Sequence, residues 1–167
     1  MRSVFCLALL SLAATPLLAS DVPAFSLKDP ADAVHTQKVL EGGAVLLITI
    51  PNAKHGDRQS VWSKHLKKSL PEGKLRLVIL EDLSQSNVKE KAMASMKKKY
   101  KAGQATLLLI DETGAARRSF RITNDETAVL VYNKEGRLVH KVMSPGTADE
   151  IIDAARAVAK FVKSLPE

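Results

Sequence analysis

Three stretches of the chain are almost wholly apolar and rich in β-branched residues: 44–50 (AVLLITI), 75–81 (LRLVILE) and 105–110 (ATLLLI). Runs of this length and composition predict strands buried on both faces, as in a central sheet. Helical patterns separate them. From Arg58 to Leu70 the apolar positions are Val61, Trp62, Leu66 and Leu70, with Lys64, Lys67 and Lys68 on the other side. From Val88 to Tyr100 they are Val88, Ala92, Met93, Met96 and Tyr100, a methionine-lined face that reads as core filler, with Ser86 or Asn87 as the expected cap. Pro51 closes the first apolar strand because proline removes a backbone donor.

Outside this centre the pattern is shorter-ranged. Residues 24–29 (AFSLKD) alternate like an edge strand, which residues 33–43 (AVHTQKVLEGG) would continue into a turn at Gly42 and Gly43. Residues 115–122 (AARRSFRI) predict a short helix. Residues 127–143 predict a hairpin, with strands 128–132 and 137–143 about a turn at 133–136. The NKEG turn echoes DETG at 111–114, and the two are expected at one sheet edge on parallel strands. TADE at 147–150 is a capping box that starts a last helix with Ile151, Ile152, Ala155, Val158, Ala159 and Val162 on one face. Strands alternating with helices imply a mostly parallel sheet covered on both faces. The fold class is therefore α/β, a three-layer α/β/α domain with a mixed central sheet.

Composition changes the picture mainly at the N-terminus. Residues 1–20 run from Arg2 through an apolar stretch interrupted by Ser, Thr and Pro to the small residues Ala19 and Ser20. This is the pattern of a secretory signal peptide. The expected division is a signal over 1–19 and one domain over 20–167. Cys6 is the sole cysteine and lies in the signal, so the mature form is expected to contain no thiol and no disulfide. Its location is expected to be periplasmic or secreted, with no transmembrane segment. The chain carries 25 Lys and Arg against 18 Asp and Glu, a net +7 that falls to +6 without Arg2. That excess favours contact with anionic surfaces such as envelope polymers or lipid headgroups; the expected partner is a periplasmic protein or an anionic envelope polymer, with docking to a cysteine-bearing redox partner as an alternative. In that compartment nucleic acid is expected to be a poor partner.

The strand–turn–helix–strand–hairpin order in ATLLLIDETGAARRSFRI and TAVLVYNKEGRLVHKV resembles thioredoxin-like domains of the peroxiredoxin type. Over residues 22–165 it is most similar to the exported YtfJ-type proteins, which share DETG- and NKEGR-like turns and lack redox cysteines. The resemblance implies a thioredoxin-like fold and places the site at the corner after 44–50. In a peroxiredoxin register Pro51 matches the motif proline, His55 its threonine, Arg58 the peroxidatic cysteine, and Thr127 lies near the activating arginine. In a thioredoxin register Lys54 and Asp57 take the cysteine positions and Thr127 falls near the cis-proline. A thiolate must both attack and leave in such chemistry, and none of these residues can do so.

Lys54, His55, Asp57, Arg58 and Thr127 are therefore candidate binding residues with no catalytic assignment. A helix start at the carboxyl edge of a sheet offers free amides and a positive field to an anion. The alternative is that Asp57 only caps the helix. His55, Asp57 and His65 are a weaker metal candidate, and no metal or cofactor is assigned. Lys97, Lys98, Lys99 and Lys101 form a basic face that either grips an anionic polymer, with Tyr100 stacking, or is simply solvated.

Overall fold

A computed structural model describes residues 22–50, 56–101, 103–123, 126–144 and 146–166, with side chains in the first helix described from Arg58 onward. A seven-stranded mixed sheet has the order β2-β1-β5-β4-β3-β6-β7. Its centre is β3 (Ala44–Thr49), β4 (Arg76–Asp82) and β5 (Thr106–Asp111). Strand β4 is parallel to both neighbours, pairing Leu47 with Ile79 and Ile79 with Leu108. All six residues of β3 are buried, as expected of a strand whose two faces are both apolar.

Helices cover the two faces unequally. On one face α1 (Gly56–Ser69) and α4 (Ala148–Ser164) enclose Val45, Leu47, Ile79, Val129 and Val131 through Trp62, Leu66, Ile151, Ala155, Val158 and Val162. On the other, α3 (Ala115–Ser119) and a 3-10 turn (Gln37–Leu40) pack Ala116, Phe120 and Leu40 against Leu46, Ile48, Val78, Leu80 and Leu130. The capping box of α4 is formed: the Glu150 amide donates to Thr147 Oγ1 at 3.4 Å and the Thr147 amide donates to Glu150 Oε2 at 3.0 Å.

Several expectations change in the structure. The 24–29 segment supplies β1 (Ser26–Lys28), which is not an edge strand, because β2 (Val34–Thr36) folds back beside it antiparallel. Helix α2 (Lys89–Lys99) has Val88 at its N-cap, with no side-chain cap bond; Ser86 Oγ accepts the Val88 amide, at 3.3 Å. No residue of α2 is buried: Ala92, Met93 and Met96 are half-buried, so the methionine face leans inward without joining the core. The two similar turns do not share an edge. Strand β6 (Ala128–Tyr132) is antiparallel to β3, with Tyr132 level with Ala44. The turn before β7 (Leu138–Met143) therefore lies at the end of the sheet opposite Asp111.

The turn after β5 is built around a buried ion pair. Arg117, 1% exposed, donates from Nε to Asp82 Oδ2 at 2.7 Å, and its Nη1 donates to the Thr123 carbonyl. Its backbone amide donates to Asp111 Oδ2 at 2.9 Å, and Asp111 Oδ1 accepts from the Thr113 amide and hydroxyl. Asp82 Oδ1 takes the Ser84 amide at 2.8 Å. Gly114 adopts φ +72°, and a Cβ there would come within 2.8 Å of Ser84 Oγ, so the turn tolerates only glycine. Removing one partner of such a pair strands a buried charge. Arg117→Leu is expected to destabilise the fold by about 3–5 kcal/mol. Adding Asp82→Leu should restore at least half of that loss, which a double-mutant cycle by denaturant unfolding measures.

Candidate functional site

The carboxyl edge of the parallel strands gathers several candidates. Strand β3 ends at Thr49, and α1 starts at Gly56. Lys54 and His55 lie outside the described residues. Asp57 is in the first turn of α1, but its side chain is outside the described set. Arg58, in the same turn, is half-buried. Thr127 is brought to this edge from the far side of the sequence. It precedes Ala128, which pairs with Ile48, and is 5% exposed. Its carbonyl accepts the Ser144 amide at 2.7 Å, and Ser144 Oγ accepts Trp62 Nε1 of α1 at 2.9 Å. Thus Arg58 and Thr127 share the edge, held by a relay from the hairpin into α1.

Two neighbours were not singled out from sequence. Thr49 Oγ1 is buried without a hydrogen-bond partner among the described residues. Glu81, level with it on β4, points toward the α1 face. Burial pushes the Glu81 carboxyl up, and a hydrogen bond with Gln59 of α1 only partly offsets this. Burial of the Glu81 carboxyl beside the Thr49 hydroxyl makes this part of the edge less readily anionic, which favours an anionic guest. The readable signal is a carboxylate ending an otherwise apolar strand: VILED at 78–82 and LLLID at 107–111.

The histidines and lysines resolve differently. His65 is half-buried in α1, one turn beyond Trp62. His35 Nε2 meets Asp29 Oδ2 at 3.1 Å, and Tyr100 donates its hydroxyl to the same oxygen at 3.1 Å. Burial opposes ionisation of Asp29, but these bonds and the Ala33 and Ala31 amides outweigh it and lower its pKa. Tyr100 is therefore engaged with Asp29 rather than presented as a free stacking platform. Lys97 is ion-paired with Asp32 at 2.9 Å, while Lys98, Lys99 and Lys101 are exposed. The expected basic face loses one of its four lysines to a structural contact. His140 stacks on Phe161 at 4.6 Å. Among the described residues no group of three His, Cys, Asp or Glu is arranged to hold a metal ion, and no helix is long and apolar enough to cross a membrane.

No protein family matches the chain in sequence, and no curated protein matches it. Solved structures do match in shape. The thioredoxin domain of a thiol-disulfide oxidoreductase from Bacteroides vulgatus is 15% identical, with a TM-score of 0.57 over 86% of this chain and 96% of that one. A secreted Mycobacterium tuberculosis disulfide oxidoreductase is 16% identical, with a TM-score of 0.54 over 80% and 95%. Arabidopsis thaliana ScoI with copper bound is 13% identical, with a TM-score of 0.56 over 87% and 100%. These likenesses show that the fold is thioredoxin-like, with a mixed seven-stranded sheet and four helices.

Glu81 makes the edge pH-sensitive. A carboxyl whose folded pKa is raised binds more protons folded than unfolded, so stability falls as pH rises from the ordinary glutamate range through the raised value. Glu81→Gln removes that dependence. The variant is expected to melt at a higher temperature than the parent at pH 7, and the difference should shrink toward pH 4 in a thermal-melt series.

Proposed function

We propose that the protein is an exported, non-catalytic thioredoxin-fold module of the YtfJ type that binds an anionic ligand at the start of α1. The ligand is an envelope polymer or an acidic protein surface, met by Lys54, His55 and Arg58, with Asp57 and Thr127 shaping the edge. The exposed Lys98, Lys99 and Lys101 lie at the other end of the sheet, beyond α2 and near the start of β5, and form a separate basic patch. One observation carries this reading: the corner where thioredoxin-fold enzymes hold a reactive sulfur has Lys-His-Gly-Asp-Arg over 54–58, and the only cysteine, Cys6, falls in the apolar leader. Without sulfur there is no attack on a disulfide or peroxide and no thiolate to leave. Extracytoplasmic location is supported by the leader pattern and by the secreted and surface-exposed proteins among the structural neighbours.

The test is retention of the secreted form by a soluble polyanion such as heparin. Retention should weaken about tenfold for Lys54→Glu plus Arg58→Glu and should fall steeply as salt rises from about 0.05 to 0.3 M. Salt-independent retention, or turnover of insulin disulfides by the same sample, contradicts the reading.

Metal binding is a second reading, favoured by likeness to a copper-bound neighbour. It would use His55 and Asp57, with His65 as a further imidazole. It predicts stoichiometric copper or zinc in the purified protein by elemental analysis, lost in His55→Ala. Flat calorimetry with both metals removes it.

A further inference from the structure

A second cleft lies on the other face of the sheet. Tyr132 is level with Ala44 at the start of β3, at the end opposite Thr49. It lines a cavity of about 410 Å³ with Phe120, Leu130 and Leu138 as apolar walls and Arg121 and Lys141 at the polar margin. The α1 and α4 helices cover only the opposite face of this hairpin.

Three observations mark the cleft as more than a packing gap. Tyr132 is 1% exposed as a residue and lines the cleft. A tyrosine hydroxyl can donate to an acceptor that enters the cleft. Burial alone raises its pKa, so it remains a neutral donor. Arg121 and Lys141 are both exposed, and neither is in an ion pair among the described residues. Arg121 also holds φ at +55°, in the left-handed region where arginine is strained and glycine is not. Strain kept at a cleft margin fits a side chain retained for what it faces.

We propose that this cleft binds a small amphiphilic carboxylate, its apolar body against Phe120, Leu130 and Leu138 and its anionic head between Arg121, Lys141 and the Tyr132 hydroxyl. The size is within the range of small-molecule pockets, and the few polar groups at the margin would orient the guest. Two cations and a neutral donor suit one carboxylate, whose two oxygens accept from all three. The site is independent of the α1 edge and of the reading proposed for it.

The experiment titrates the full secreted chain with octanoate by calorimetry, with octanol and acetate as head-free and body-free controls. Octanoate should saturate at one site, with both controls at least about tenfold weaker. Arg121→Gly combined with Lys141→Gln should weaken octanoate about tenfold while the melting temperature stays at or above the parent's, because glycine relieves the backbone at 121. Tyr132→Phe should weaken it about threefold. Lys54→Glu plus Arg58→Glu should leave octanoate binding unchanged. Absence of saturable binding, equal affinity for octanol, or full affinity in the double variant overturns the proposal.

Discussion

The Arg117–Asp82 pair fixes where half of this molecule can go. Asp82 ends β4 and Asp111 ends β5, so two carboxylates lie side by side at the ends of parallel strands. They would repel in a buried setting if nothing intervened. Arg117 meets the first with its guanidinium and the second with its backbone amide. The short helix that carries Arg117 is thereby pinned across both strand ends, and its bond to Thr123 draws the following chain along the same edge. That chain then enters β6 beside β3 in the opposite direction. The hairpin, the Thr127–Ser144–Trp62 relay and the cleft around Tyr132 all lie downstream of this one constraint.

How much of this was legible depends on whether the signal is local. Buried central strands announce themselves, because 44–50 and 75–81 have no polar face to offer. Helix α4 likewise carries its cap, its apolar stripe and its terminal lysine within 17 residues. Strand direction is not local. DETG and NKEG look alike as turns, but what decides their placement is whether the next strand runs with or against β3, and that is set by pairing across the sheet. Strand β2 was missed as a separate element because three residues carry too little alternation to register.

The candidate edge was legible as a location and less so as a set of groups. The apolar strand, Pro51 and the helical run beginning near Arg58 together mark a corner at the carboxyl end of a central strand. Thr127 was reached only through a family register, and the structure brings it beside that corner by way of the antiparallel β6. Nothing in the RR of 117–118 says which arginine is buried. The partner of Arg117 lies 35 residues away, beyond the reach of any spacing argument. Glu81 and Thr49 became visible as neighbours only once register placed them opposite one another.

Helix α2 has a dynamic corollary. An 11-residue helix with no buried side chain draws little free energy from the core. Its ties to the turn between β1 and β2 are polar, through Lys97 to Asp32 and, just past its end, Tyr100 to Asp29. Such a segment opens as a low-free-energy foldon while the sheet stays intact. Its amides will exchange with deuterium well ahead of those in β3 and β4, and a protease will reach the connection between β4 and β5 before it reaches the central strands.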